Sequence, residues 1–326
     1  MYGALKEFDT AKKTLQRAIA EFSGTSEEVK VILAQSDLNL KMGDIQKSLN
    51  MLKKVESTQA DFIEAKKKMA EIYNNELKDR KGYTRCYMEI IDVDPSPQNY
   101  KMVGNALMDI QEPEEAIRFY EKAREQKEDS ALVREVGKAL VMTHDYNKAI
   151  RYYENALRED PKLLDLRTDL AELYIKLKGF EDAKRILIEA LKYLKHFDPN
   201  DLEFKAKNVH YYMLMAKVFL EEDVQSGYWQ GKDNQDAKQA LREARNMQME
   251  VIDKCREIST DRLDEERAIA AEINFKLGKY FEEREANVQS AMEAYNDCLN
   301  KCDSHIEALI AIARISQAKG NTEECV

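Results

Sequence analysis

The chain has 326 residues, of which 34% are charged and 44% are hydrophobic, a balance that favours long helices with one solvated and one buried face. Only 11 glycines and 5 prolines occur, which excludes collagen-like and Pro/Gly-rich disordered chains and disfavours an all-β fold with many tight turns. The net charge of −10 offers a nucleic-acid partner no non-specific attraction, and no apolar run approaches the roughly 20 residues that a membrane span needs.

The N-terminal part of the chain predicts helices in an incomplete repeat pattern. Residues 1–28 carry the pattern of one helix only, the second helix of a pair, and form a partial repeat. Residues 29–95 predict two degenerate helix pairs, the first of which turns at Gly43 and Asp44. The second pair ends before Pro95, because the residue preceding a proline disfavours the helical conformation.

The middle of the chain, residues 96–196, contains three regular repeats. Gly104, Gly137 and Ala171 stand 33 and 34 residues apart, and two further columns of small residues keep the same spacing. These further columns are Ala116, Ala149 and Ala183, then Ala123, Ala156 and Ala190. A period of 34 residues in a helix–turn–helix unit is typical of the tetratricopeptide repeat, or TPR.

The small columns have a physical reason. Glycine inside a helix costs about 1 kcal/mol relative to alanine, so Gly104 and Gly137 require a packing explanation. Two helices that approach within roughly 8–10 Å provide one, because a larger side chain at the contact would push them apart. We therefore expect the nine residues of the three columns to be repeat-packing residues.

The C-terminal part continues the repeats less regularly. Residues 197–262 predict a repeat with an inserted loop at about 221–236, which holds Trp229, and with a long second helix. Residues 263–304 predict another repeat, and residues 305–326 stop early in a second helix. Because solenoids normally end in polar capping helices, the incomplete ends indicate a piece of a longer array, with a short isoform as the alternative.

The pattern as a whole predicts an all-α fold. We expect residues 1–326 to form a single TPR-type right-handed superhelical solenoid of antiparallel helix pairs, with about nine repeats. The five cysteines are an odd number without scaffold-like spacing, and the N-terminus lacks the apolar core of a secretory signal. These features indicate an intracellular chain in a reducing compartment.

Motifs for chemistry are absent from the sequence. It contains no phosphate-binding loop, dinucleotide fingerprint, HExxH or GxSxG motif, so we expect no enzyme activity, no catalytic residue and no cofactor. The best metal candidate combines Cys298, Cys302 and His305, whose spacing could place three ligands on one helical face. Cys298 stands in a small-residue column, however, where a buried free cysteine packs like alanine, so we expect no metal site.

A strip of inward-facing residues is the candidate partner site. In TPR arrays the first helix of each repeat lines a concave groove, and its methionines, aliphatics and lysines here suit an amphipathic helix or extended segment of a partner. The alternative is that tight winding buries part of the strip against neighbouring repeats. The predicted strip consists of Lys101, Met102, Asn105, Met108, Arg134, Lys138, Val141, Met142, Ile175, Lys176, Met213, Leu214, Lys217 and Leu220.

One known TPR activity is disfavoured by the sequence. Co-chaperone TPR domains bind the C-terminal carboxylate of heat-shock chaperones through lysine, asparagine and arginine side chains of three consecutive repeats. Lys101 and Asn105 resemble the first part of that clamp. The later positions hold Glu135, Asp165 and Asp169, and these acids would repel a carboxylate.

Longer stretches resemble one particular family. The chain is similar to the tetratricopeptide repeat protein 21 family, the all-TPR subunit of intraflagellar transport complex A, over most of its length. The stretches that carry this resemblance are AKKTLQRAIAEFSGT, LNLKMGDIQKSL, PSPQNYKMVGNALMDIQEPEEAI, VGKALVMTHDYNKAIRYYE and LAELYIKLKG. Family members are several times longer than this chain, which agrees with a piece of a longer array.

The resemblance implies a non-enzymatic scaffold that supports retrograde ciliary transport and cilium assembly. It implies other subunits of intraflagellar transport complex A, themselves large repeat proteins, as partners, and ciliary membrane-protein cargo or adaptors as further ones. It implies a location at the cilium, the ciliary base and the cytoplasm or cytoskeleton. The alternative is a generic TPR adaptor that binds a peptide or helix of another cytoplasmic complex.

Overall fold

The structure, a computed structural model, describes residues 8–59, 61–127, 130–198, 201–226, 235–258 and 261–318. Over these residues the chain forms sixteen α-helices and no β-strand, which confirms the predicted all-α fold. The helices belong to two compact units, residues 1–152 and residues 153–326. Trp229 and the C-terminal stretch from residue 319, on which parts of the predicted insert and of the truncated last repeat fall, lie outside the described residues.

The first unit consists of short amphipathic helices, and from the first to the eighth each helix packs on the next along the chain. The alternation of first and second helices gives the helix pairs that the repeat pattern predicts. The helices are α1 (Phe8–Phe22), α2 (Glu28–Lys41), α3 (Ile45–Leu52), α4 (Phe62–Asn75), α5 (Arg80–Val93), α6 (Pro97–Asp109), α7 (Pro113–Gln126), α8 (Ser130–Met142) and the first half of α9 (Tyr146–Glu159).

The second unit begins within α9 and has the same plan with longer members. Its helices are α10 (Leu164–Lys176), α11 (Phe180–Leu194), α12 (Leu202–Ser226), α13 (Gln235–Ile258), α14 (Leu263–Glu283), α15 (Val288–Leu299) and α16 (Ile306–Ala318). Each helix from α10 to α15 packs on the next, and the first helices α10 and α12 also contact each other.

The turns inside the helix pairs share one backbone device. In six of them a residue adopts a left-handed conformation, namely Gly43, Lys78, Gln111, His144, Lys178 and Ala286. The following N–H then donates to a carbonyl in the last turn of the first helix, as Glu112 does to Leu107 and Gly179 to Tyr174, both at 2.9 Å. This closure satisfies carbonyls that the helix end leaves unpaired and sends the chain back along its partner helix.

The glycine column packs against tyrosine rings of the second helix. A Cβ atom added to Gly104 would lie 2.6 Å from Cδ1 of Tyr120, and one added to Gly278 would lie 2.6 Å from Cδ1 of Tyr295. Such distances are far below van der Waals contact. The absence of a side chain is thus required for the ring to reach the backbone of the first helix.

The other small columns are buried as well. Every side chain of the predicted repeat-packing alanines is buried, and Gly104 and Gly137 are buried with them. In the α2–α3 pair, Ser36 and Ser48 are 12 residues apart, the spacing that separates Ala171 from Ala183. Both serines are fully buried, and their Oγ atoms are 2.5 Å apart, so one hydroxyl donates a hydrogen bond to the other in a place where other repeats carry alanine.

The predicted loop at 221–236 is shorter than expected. Helix α12 continues to Ser226 and α13 begins at Gln235, so both ends of that stretch are helical. No glycine or proline occurs between residues 202 and 226, so nothing in the sequence ends the helix before Gly227. The long second helix ends at Ile258.

Candidate partner-binding trough

The first-unit part of the predicted strip lies on α6 and α8. Its members are partly or fully exposed, and none is buried. Asn105 accepts a hydrogen bond of 2.8 Å from the hydroxyl of Tyr120, so a residue of α7 holds the orientation of the Asn105 side chain. Lys138 lies 3.7 Å from Glu135, an ion pair within one helical turn that leaves the lysine in solvent.

The second-unit part of the strip divides into two groups, apart from Lys176, which is exposed at the end of α10. Ile175 is 3% exposed and Leu214 is 7% exposed, so these two side chains pack in the interior and offer almost no surface to a partner. Met213, Lys217 and Leu220 lie three and four residues apart on one face of α12, and all three line a cavity. Leu214 points away from that face because one residue rotates the direction of a helical side chain by about 100°.

This cavity is a trough between α12 and α14 with a volume of about 660 Å³. We call it the α12–α14 trough. Phe180, Leu241 and Tyr280 lie at its base and are buried, whereas Val224 at one end is 60% exposed. The remaining lining residues are Lys178, Met213, Ala216, Lys217, Leu220, Glu221, Gln225, Glu272, Phe275, Lys276, Lys279, Glu283 and Arg284.

The rim of the trough is charged. On α12, Lys217 lies 3.8 Å from Glu221, and α14 contributes two ion pairs of the same i,i+4 type. These are Lys276 with Glu272 at 3.2 Å and Lys279 with Glu283 at 3.7 Å. All six side chains of these pairs are substantially exposed, so each pair contributes little to stability and its lysine can exchange partners.

One cation connects the two helices that form the walls of the trough, α12 and α14. The guanidinium of Arg284 at the end of α14 donates to the backbone carbonyl of Leu220 at 3.5 Å and lies 3.8 Å from the carboxylate of Asp223. Both acceptors belong to α12. The arginine therefore bridges α12 and α14 at the Val224 end of the trough.

A second cavity, of about 410 Å³, continues the trough toward the beginnings of α12 and α14. Met213 and Glu272 line both cavities. Under this second cavity Gln248 of α13 donates to the carboxylate of Glu266 at 2.8 Å, and Arg262 pairs with the other carboxylate oxygen at 3.2 Å. Glu266 is almost fully buried, so the amide and the guanidinium compensate its desolvation.

The lining of the trough consists of apolar, lysine, arginine, glutamate and glutamine side chains with one tyrosine. Among its described residues there is no serine, threonine, cysteine or histidine. In the described part of the chain, no group of three or more histidine, cysteine, aspartate or glutamate side chains is arranged to hold a metal ion.

The residues of the metal candidate from the sequence do not lie on one helical face. Helix α15 ends at Leu299, so Cys298 is helical whereas Cys302 and His305 follow in the turn. Cys298 packs in an apolar cluster, and burial raises the pKa of its thiol to about 11. His305 lies between the carboxylates of Glu272 and Glu307, at 3.6 and 3.4 Å.

The α14 wall of the trough is missing from the predicted strip. The strip residues of α12 lie three residues before and one and four residues after Ala216. The same offsets from Gly278 give Phe275, Lys279 and Glu282, of which the first two line the trough. The position of Gly278 thus predicts which residues of α14 line the trough. The spacing from Gly278 to Ala291 is one residue longer than in the regular repeats, however, and this makes the inward-facing positions of α14 harder to assign.

Comparison with known proteins identifies the family. A model described as the tetratricopeptide repeat protein 21 ARM repeat matches residues 1–90, and one described as the fourth ARM domain of tetratricopeptide repeat protein 21 matches residues 132–299. Among the described helices, none combines the length and the apolar character needed to cross a bilayer.

Curated relatives carry the same name. Tetratricopeptide repeat protein 21B of Homo sapiens is 37% identical over 317 residues, which cover 97% of this chain and 23% of the human protein. Tetratricopeptide repeat protein 21A of Mus musculus is 32% identical, over 98% of this chain and 23% of that protein. The chain therefore spans about a quarter of the length of these relatives.

Solved structures show the fold. Yeast Tom70 is matched over 98% of this chain and 60% of that chain, with a TM-score of 0.51 and 13% identity. The C-terminal part of a TPR repeat-containing protein from Cytophaga hutchinsonii is matched over 84% of this chain and 97% of that chain, with a TM-score of 0.50 and 16% identity. The fold is thus that of TPR solenoid proteins, and the chain belongs to the tetratricopeptide repeat protein 21 family.

Proposed function

We propose that this chain is part of a non-enzymatic scaffold subunit of intraflagellar transport complex A, which supports retrograde ciliary transport and cilium assembly through protein–protein contacts. The observation that carries the proposal is similarity to the tetratricopeptide repeat protein 21 family along 97% of the chain. Stacked helix pairs with an accessible trough support a role in assembly.

The partners of such a scaffold are the other large repeat subunits of the complex, with ciliary membrane-protein cargo or adaptors as further ones. Its location is the cilium and the ciliary base, together with the cytoplasm or cytoskeleton. An acidic chain of net charge −10 does not favour nucleic acid as a partner.

Fractionation of ciliated cells tests this proposal. A tagged copy of the chain is expressed, and the extract is separated by size under conditions that keep transport complexes intact. We expect the tagged chain to migrate with subunits of intraflagellar transport complex A and to concentrate at the ciliary base. Migration only at the size of the free chain, with no enrichment at cilia, would reject it.

A second candidate is a generic TPR adaptor for a peptide or helix of another cytoplasmic complex. The α12–α14 trough favours it, because an apolar base between charged rims is the form of a helix-binding or peptide-binding groove. Recovery of one small peptide ligand from cross-linked complexes, without subunits of the transport complex, would support this candidate over the first.

A further inference from the structure

We propose that the α12–α14 trough binds one amphipathic α-helix of a partner subunit, and that the apolar face of this helix is bordered by glutamate or aspartate side chains. The inference rests on the proposed scaffold function and names the chemistry of one partner. It is carried by three features of the trough, namely its length, its exposed apolar residues and its local charge.

The length of the trough matches a short helix. Its α12 wall extends from Met213 to Gln225 and its α14 wall from Glu272 to Glu283, separations of 12 and 11 residues. At about 1.5 Å per residue, the walls are roughly 16 to 18 Å long, or about three helical turns. A partner helix of about three turns can therefore lie along both walls and pack its ridges into their grooves.

Apolar surface in the trough is open to such a helix. Val224 is 60% exposed, and Met213, Leu220 and Phe275 are each only partly buried. These side chains lie on facing sides of one cavity rather than scattered over the surface. A contiguous apolar lining with a polar rim is the form expected of an interaction site, since isolated exposed apolar residues are common and carry no such meaning.

The charge of the trough determines which side chains should flank the apolar face of the partner helix. Five cationic side chains line it, Lys178, Lys217, Lys276, Lys279 and Arg284, against the carboxylates of Glu221, Glu272 and Glu283 in the lining and that of Asp223 beside Arg284, which leaves an excess of one positive charge. The chain as a whole has a net charge of −10, so this local excess of positive charge opposes the overall balance. Carboxylates of a partner would meet complementary potential here, which favours correct partners and raises the rate of encounter.

A second copy of this chain is a poorer occupant. A symmetric contact through this trough would bring the lysines of one copy against the lysines of the other. The rim lysines are held only by exposed pairs with neighbours on their own helices, so a partner carboxylate can replace those neighbours at little cost.

A designed peptide tests the inference on the purified chain. The probe is a fluorescein-labelled helix of about 18 residues with leucines at i, i+3, i+4 and i+7 and glutamates beside them. A second probe has lysine in place of every glutamate. The variants are Lys217→Glu with Lys279→Glu for the rim and Leu220→Asp for the apolar lining, with Lys192→Glu on α11 as the matched control.

We expect saturable binding of the glutamate probe with a gain of helical circular dichroism. The rim double variant and Leu220→Asp should each weaken binding at least about tenfold, a factor that corresponds to 1.4 kcal/mol. Lys192→Glu should bind as the unaltered chain does, and the lysine probe should bind the unaltered chain at least about tenfold more weakly.

Equal binding of both probes, binding without gained helix, or full binding by the trough variants would overturn the inference. So would self-association of the chain that the trough variants abolish, because a second copy would then be the occupant. The two probes can be compared on the unaltered chain even if a variant fails to fold. Absent probe binding with retained migration in the transport complex would reject this inference alone and leave the proposed function standing.

Discussion

The ring of Tyr120 lies against the backbone of Gly104 so closely that even a methyl group on the glycine would overlap it. The hydroxyl of the same tyrosine donates to Asn105, the next residue on α6, at 2.8 Å. One side chain of α7 therefore fixes both the approach and the register of the two helices. Tyr295 stands in the same relation to Gly278 and donates its hydroxyl to Glu282 at 2.8 Å.

This contact predicts the effect of a larger residue at the glycine. Gly104→Leu should lower the free energy of unfolding by about 1–3 kcal/mol, because a fully buried ring must move to admit the side chain. Leucine is the better helix former by nearly 1 kcal/mol, so any loss measured in urea is packing loss that exceeds this gain.

A double-mutant cycle with Tyr120→Ala supplies the control. If the ring is the cause, Gly104→Leu should cost much less in the background that lacks it, and the coupling should reach about 1 kcal/mol or more. A cost that is unchanged in the Tyr120→Ala background would mean that another part of the repeat rejects the leucine.

The sequence predicts the helix pairs well because their packing depends on residue size. The small columns around Ala116, Ala149 and Ala183 repeat at fixed spacing, and every one of them is buried. The serines of the α2–α3 pair follow the same spacing, and in the sequence Ser48, with Leu52 four residues later, marks the repeat at about 29–60, whereas the pattern does not single out Ser36. Only the structure shows that Ser36 and Ser48 form a hydrogen bond.

The serine pair predicts a pattern of stability. Ser36→Ala or Ser48→Ala alone should cost about 1–2 kcal/mol, because the remaining hydroxyl is buried without its partner. The double alanine variant should return to within about 0.5 kcal/mol of the original chain, since alanine fills the same columns elsewhere and neither polar group remains. Urea unfolding of the three variants measures this, and additive losses would contradict it.

The candidate site was harder to predict than the fold. A periodic sequence identifies which positions of a helix face inward, but not how far the helix rotates, and the predicted strip therefore contains Ile175 and Leu214, which are buried. The left-handed turns inside the helix pairs are difficult to predict from the sequence for a different reason. Of the six left-handed turn residues only Gly43 is a glycine, and the conformation of Lys178 or Ala286 follows from helix pairing rather than from residue type.

The non-glycine turns predict a gain in stability. Gln111 has a φ of 63°, a conformation that costs an ordinary L-residue roughly 1–2 kcal/mol, whereas glycine adopts it freely. Glycine loses about 0.5–1 kcal/mol of this advantage through its greater freedom in the unfolded chain. Gln111→Gly should therefore raise the free energy of unfolding by up to about 1 kcal/mol.

The matched control for this variant is Glu121→Gly, at an exposed position inside α7. Because the backbone is helical there, glycine should lower stability by about 1 kcal/mol. The two substitutions thus have opposite expected signs, and thermal unfolding of both measures them. A loss of stability in Gln111→Gly would contradict the role assigned to the left-handed turn.

Two buried thiols predict how stability changes with pH. Burial raises the pKa of Cys86 and of Cys298 to about 11, whereas the same thiols in the unfolded chain have a pKa near 9. Below pH 9 both thiols are protonated in the folded and in the unfolded state. Between pH 9 and 11 the unfolded state releases them while the folded state keeps them, so the folded state loses stability as the pH rises.

The loss should approach about 1.4 kcal/mol per pH unit for each thiol within this window. Urea unfolding at pH 8, 9 and 10 measures it, and the double variant Cys86→Ala with Cys298→Ala should show a shallower decline over the same range. Alanine is a suitable replacement because it occupies the column of Cys298 in other repeats, as at Ala123 and Ala190. An equally steep decline without the two thiols would assign the pH dependence to other groups, such as Tyr211, whose pKa is raised by burial to about 12.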